Sequence, residues 1–209
     1  MTKVVLAIDT SAGTAVSVLV DGQVASELLD SDSMQHAEQI GSQILKALEA
    51  AGVKAADVSA VAVGVGPGPF TGLRVGIAAA KMFAEGASVP IYAVGSLEAV
   101  AFAQPLASPT LVLADARRSE VFFGLFLGKT PAGVPQSLLG PGVRKLAELE
   151  AELEAAGQSY QSCLEPVAAS SVGKLALARI AEGTADTSVI ANYLRAPDAS
   201  PSKGKKVSG

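Results

Sequence analysis

Two stretches of the chain hold residue types that can handle an anion. The first is Gly66-Pro67-Gly68-Pro69-Phe70-Thr71-Gly72, set between an apolar run at 61–65 and an apolar segment with helical spacing. Alternating glycine and proline admit neither helix nor ladder pairing. Thr71 is expected to cap the helix that follows and Gly86 to end it after about four turns. Strand, Gly-rich turn and helix together aim backbone N–H groups and a positive helix end at one point. Gly66, Gly68, Thr71 and Gly72 are therefore candidates to cradle a phosphate, with a plain structural turn as the equal alternative. Neither a Walker Gly-Lys-Ser/Thr nor a GxGxxG spacing is present. The second stretch is an apolar strand at 3–9 that ends on Asp9 and runs into Thr10-Ser11-Ala12-Gly13-Thr14. Leu111-Val112-Leu113-Ala114-Asp115 repeats that layout, again with a polar turn behind the carboxylate.

Other chemistries have less footing. His36 is the only histidine, and its distance from Ser33 is explained by helix capping; there is no G-x-S-x-G elbow either. Cys163 is the only cysteine, which excludes an internal disulfide and fits a reducing compartment. The formal charge is −4 and the pI about 5.1, without the basic footprint of a nucleic-acid binder. Arg117 and Arg118 beside Glu120 read as a solvated turn, with an acidic partner or an RNA phosphate as the alternative. The N-terminus lacks a signal-peptide profile and no apolar run approaches the roughly 18 residues of a membrane span, so a soluble, cytoplasmic protein without membrane contact is expected.

Elements must hold these residues in place. Strands at 3–9, 15–20 and 23–29, the last two joined by Asp21-Gly22, predict an antiparallel meander. Ser33 is expected to cap a helix over 35–51, in which Ile40, Ile44, Leu45 and Leu48 recur at three and four. A strand at 57–65 is then expected parallel to the first, because a helix intervenes. In the helix over 71–85, Leu73, Ile77, Ala80 and Ala84 form one stripe, while Val75, Ala78, Ala79, Met82 and Phe83 fill most of the rest. A helix apolar around most of its girth needs cover on more than one side, so a partner chain is a candidate. With 49% apolar residues and a mean hydropathy of +0.40, the chain as a whole agrees. A strand at 90–94 and a helix at 97–103 capped by Ser96 close the first half.

Pro105, Ser108 and Pro109 mark a boundary, which predicts units at 1–105 and 106–196 and a tail at 197–209 with a disordered composition. The second half offers strands at 111–115, 121–127 and 163–168 and helices at 146–156 and 172–180. The fold class is therefore α/β, a duplicated domain with an abbreviated second copy and a cleft between the copies.

The run AIDTSAGTAVSVL, followed by GVGPGPFTGLRVGIAAAK, DARRSEVFFGLF and a late Tyr193-Leu194-Arg195, resembles the TsaB (YeaZ) family, densely over 3–128 and thinly afterwards. The resemblance implies a duplicated actin-like ATPase fold, the type of sugar kinases, heat-shock chaperones and actin. It implies a non-catalytic scaffold in bacterial tRNA threonylcarbamoyladenosine synthesis. Such a scaffold binds the paralogous transferase TsaD, which modifies the adenosine following the anticodon, and with it the ATPase TsaE. A homodimer in the absence of TsaD, and contact with tRNA only through the complex, belong to the same expectation. Asp9 and Ser11 match positions where actin-like kinases keep a Mg-linked carboxylate and a phosphate-facing turn; the alternative is that Asp9 only ends its strand and ties its own turn. No cofactor is expected to be required by this subunit, with ATP or ADP and Mg entering only in the complex. Gly140-Pro141-Gly142 is the one Gly-rich segment of the second half that offers a nucleotide grip. The paralogue holds a metal through His-x-x-x-His, but here Ile40 follows His36 at that spacing, so no two-histidine site exists. The partner surface is expected on the helices at 35–51 and 71–85, through His36, Ile40, Ile44, Leu73, Ile77, Ala80, Met82 and Ala84, with Arg74 and Lys81 at the rim. Two rivals remain: a stand-alone actin-like phosphotransferase or ATPase relying on Asp9, and an RNA-binding module.

Overall fold

A computed structural model describes residues 3–30 and 36–195, with backbone alone at 36–38. The predicted cap Ser33 and the tail at 197–209 lie outside the described residues. The first half runs β1 (Val4–Asp9), β2 (Thr14–Val20), β3 (Gln23–Asp30), α1 (His36–Ala50), β4 (Ala60–Gly64), α2 (Phe70–Ala87), β5 (Ile91–Val94) and α3 (Ser96–Ala103). Its five-stranded sheet has the order β3-β2-β1-β4-β5. All of β1 is buried, which is why it reads as an unbroken apolar run and not as an alternating one. The meander forms as expected, turned at Asp21 and Gly22, both with positive φ. β4 lies parallel to β1.

The second half repeats the plan with β6 (Thr110–Asp115), β7 (Glu120–Lys129), β8 (Pro135–Lys145), α4 (Leu146–Ala155), β9 (Gln161–Cys163) and α5 (Ala169–Glu182). Its sheet has the order β8-β7-β6-β9. β6 pairs antiparallel with β7 and parallel with β9, as β1 does with β2 and β4. Asp9 faces Ala15 across its hairpin and Asp115 faces Val121 across its own, so the two carboxylates are equivalent. The copy stops one strand and one helix short of the first.

α1 and α2 cover one face of the first sheet, where Leu6, Ile8, Val61 and Val63 meet Ile44, Leu48, Ile77 and Ala80. α3 and α5 lie between the two sheets, in a core that joins Val5 and Leu19 to Val100, Val112, Phe126 and Leu175. α5 belongs to the second half by sequence yet packs on β1 and β2. Gly173 permits that approach, since a Cβ there would come 2.5 Å from a Leu19 methyl. α4 seals the outer face of the second sheet through Leu149 and Leu153.

Several boundaries differ from expectation. α2 starts at Phe70 behind Pro69, so Thr71 is inside the first turn and caps nothing. The helix passes through Gly86 and ends at Ser88, which takes the left-handed conformation with φ 54°. α3 is capped by Gly95 without a side-chain bond, because the Ser96 hydroxyl is used elsewhere. β8 was not expected: Gly140-Pro141-Gly142 reads as loop, but an edge strand with an irregular register accommodates it. β9 is shorter and earlier than the predicted 163–168.

Candidate functional site

Asp9 sits at the end of β1 with 2% of its surface exposed. One carboxylate oxygen accepts the Ser11 N–H at 2.8 Å and the Ser11 hydroxyl at 2.6 Å. The other accepts the Ser96 hydroxyl at 2.7 Å. Ser96 Oγ in turn accepts the Gly66 N–H at 3.1 Å, and the Ser96 N–H donates to the Gly66 carbonyl at 2.8 Å. One serine thus links the carboxylate, the Gly-rich loop and the start of α3. Burial pushes the Asp9 carboxyl above its ordinary value, and the bonds from Ser11 and Ser96 partly offset that.

The glycines here make room for the chain's own turn. A Cβ on Gly64 would lie 1.8 Å from Asp9 Oδ2, and one on Gly68 would lie 2.8 Å from Ser11 Cα. Thr10 donates to the Gly72 carbonyl at 2.8 Å, which requires Gly76 one turn on, where a Cβ would come 2.1 Å from Thr10 Oγ1. Gly66, at φ +100°, bends the loop back toward Ser96. Thr71 is exposed on α2 and lies outside this network. Ser11 therefore packs directly against Gly68, while Asp9 reaches Gly66 through the Ser96 hydroxyl. Asp115 ties its own turn in the same way, accepting the Arg117 N–H at 2.9 Å, though it is exposed. Among the described residues, no three of His, Cys, Asp or Glu gather as metal ligands.

The segment after α5 crosses this region. Ala93 N–H donates to the Asp186 carbonyl at 2.8 Å, and Asn192 N–H to the Val65 carbonyl at 2.7 Å. The Arg74 guanidinium lies 3.7 Å over the Phe70 ring and donates to the Tyr193 hydroxyl at 3.1 Å, while the two rings sit 4.7 Å apart. Arg195 then reaches the second half, where it bonds the Ala116 carbonyl and lies 3.7 Å from the Glu120 carboxylate. Ser96, Gly64, Gly76 and Tyr193 are the residues sequence reasoning missed here. A glycine ending an otherwise apolar strand, and another inside a helix, were the available signals.

The expected partner surface needs correction. Leu73, Ile77, Ala80 and Ala84 point at the sheet and are buried, and so are Ile40 and Ile44. The strongest stripe of an amphipathic helix goes to its own core first. Arg74 is held by Phe70 and Tyr193 and is not a free rim charge. Lys81 and Met82 do face outward, Met82 with 76% of its surface exposed. Leu45 of α1 is 67% exposed and joins them as an outward apolar residue. Ala78, Gly41 and Gly86 are exposed as well, with open space where either glycine's Cβ would stand. His36 begins α1; its side chain lies outside the description.

Comparison with known proteins identifies the family. A family model described as "TsaD: tRNA N6-adenosine threonylcarbamoyltransferase" matches residues 30–186. An uncharacterized protein of Mycobacterium tuberculosis is 36% identical over 208 residues, spanning 94% of each chain. The tRNA threonylcarbamoyladenosine biosynthesis protein TsaB of Bacillus subtilis is 34% identical over 127 residues, 58% of this chain and 54% of that one. In structure, YeaZ from Pseudomonas aeruginosa superimposes with a TM-score of 0.76 at 23% identity, covering 92% of this chain and all of the other. An internally duplicated α/β fold, a shared fold with YeaZ and these sequence relatives converge: the chain belongs to the TsaD-type family and, within it, to the TsaB/YeaZ group.

Proposed function

We propose that the chain serves tRNA threonylcarbamoylation as a non-catalytic subunit that binds a TsaD-type transferase through the outer face of α1 and α2. The observation that carries this is the outward pair Leu45 and Met82, flanked by Gly41, Ala78 and Gly86 on helices otherwise seated on their sheet. Small residues let a second helix pair approach closely, and Leu and Met supply the apolar contact. Asp9 supports the non-catalytic part, because both of its oxygens accept hydrogen bonds from this chain's own serines. TsaE, tRNA, and ATP or ADP with Mg then engage the pair and not this subunit alone. In the absence of the transferase, the same face suits a second copy of this chain.

Size-exclusion chromatography with light scattering tests the reading, on this chain alone and mixed with TsaD of its own organism. A new 1:1 species is expected. Separate elution with nucleotide and TsaE also present would overturn it, and tight, Asp9-dependent ATP binding by the isolated chain would favour a stand-alone nucleotide enzyme instead.

A further inference from the structure

A cleft lies beside the Asp9 network, where α3, α5, β8 and the segment after α5 meet. It encloses about 300 Å³, the lower end of the range for small-molecule sites. Two of its three charged residues, Arg179 of α5 and Glu98 of α3, are paired at 2.8 Å with side chains 17% and 32% exposed. The pair uses one guanidinium nitrogen and one carboxylate oxygen, and the other N–H groups of Arg179 have no partner among the described residues. The second Glu98 oxygen lies against Gly95, where a Cβ would come within 2.3 Å of it. The half-buried Asn192 also lines the cleft, and its side-chain amide has no partner among the described residues. Asp186 stands at the exposed side, with one oxygen accepting the Ser188 N–H at 2.7 Å. Phe126, Leu97, Pro67 and Pro141 supply apolar lining.

From this arrangement we infer that the cleft binds a small free α-amino acid with a short apolar side chain. Two acidic residues and one arginine line the cleft, so its net charge disfavours a phosphate or a nucleotide but not a zwitterion. An α-amino acid carries its ammonium and carboxylate side by side, at the spacing of the Arg179 and Glu98 pair. Laid antiparallel across that pair, its carboxylate takes the remaining Arg179 donors and the Asn192 amide. Its ammonium takes Glu98 and Asp186. The volume leaves room for a short side chain against Phe126 and Pro141. The inference does not depend on partner binding by α1 and α2, since the cleft lies on the other side of the first sheet.

Calorimetry of the full chain with each of the twenty free amino acids, inorganic phosphate and AMP tests this. Saturable binding of a small apolar amino acid is expected, with none for phosphate, AMP or the N-acetylated form of that amino acid. Removing one charge-assisted contact by Glu98→Gln or Arg179→Gln should weaken binding by about tenfold or more. Gly95→Ala changes no charge and suits the backbone at φ −65°, yet its Cβ displaces the Glu98 carboxylate, so it should weaken binding in a chain that circular dichroism shows to be folded. The proposal is overturned if no amino acid saturates, if phosphate or AMP binds in its place, or if Gly95→Ala and Arg179→Gln bind as the parent does.

Discussion

Asp9 shows how a residue with catalytic credentials is absorbed into architecture. Its carboxyl is raised above its ordinary value mainly by burial, against the hydrogen bonds from Ser11 and Ser96. The folded state therefore favours the protonated form more than the unfolded chain does. Stability from this group is fully present below the unfolded value, falls as pH rises through the window up to the raised folded value, and is flat beyond it. Asp9→Asn keeps the shape and most of the bonds but cannot titrate, since the Ser96 hydroxyl has two lone pairs with which to accept the new amide and Gly66 N–H. Urea midpoints from acid to neutral pH should show the parent losing stability relative to the variant as pH rises; a constant gap would mean that Asp9 does not titrate in the fold. Ser96→Ala is the harsher change, stranding a carboxylate oxygen and the Gly66 N–H, and should cost about 3 kcal/mol in chemical denaturation. The sequence exposed Asp9, Ser11 and the loop glycines as a group. It hid Ser96, because a serine at a helix start reads as a cap and its partner lies 87 residues away.

At the scale of elements, α2 was recognisable as a helix needing cover on several sides, yet the direction of each apolar residue was not. The stripe of Leu73, Ile77, Ala80 and Ala84 looks the same whether it faces a sheet or a partner. Only the position of the sheet assigns it to the core. Ile77→Glu therefore buries a charge without a partner and should cost more than about 4 kcal/mol, unfolding the chain before any binding is measured. Met82→Glu and Leu45→Glu place charges in water and should shift stability by no more than about 0.5 kcal/mol. Each should weaken association with the proposed TsaD-type partner by about tenfold or more, read by light scattering and calorimetry. Intact association in the Leu45→Glu, Met82→Glu double variant would move the interface off this face. The meander and the parallel β4 were legible because Asp21-Gly22 and an intervening helix leave little choice of topology. β8 was not, since its glycines and proline carry the marks of a loop and its pairing comes only from β7.

At the scale of the molecule, the two halves share one core and are also tied across their surface by the chain between α5 and Arg195. That tie ends on an unusual turn. Arg117, Arg118 and Ser119 all hold left-handed backbone, at φ 63°, 54° and 60°, without a glycine among them. Such a conformation costs about 1–2 kcal/mol per residue and persists where neighbours over-determine it. Asp115 holds the turn from one side, through the Arg117 N–H, and Glu120 closes it by donating to the Arg117 carbonyl. Arg195 holds it from the other, through the Ala116 carbonyl and Glu120. Cutting the chain after residue 190 removes Arg195 together with the Tyr193 contact to Arg74 and Phe70. Hydrogen exchange should then quicken by about tenfold at the Ala116 and Glu120 amides, equivalent to about 1.4 kcal/mol of local opening. Arg195→Ala should reproduce the change at the turn while leaving α2 as it was, because the Tyr193 stack survives. If exchange at Ala116 and Glu120 in both variants is the same as in the parent, the left-handed turn does not depend on Arg195, and the crossing segment lies on the second half without bracing it.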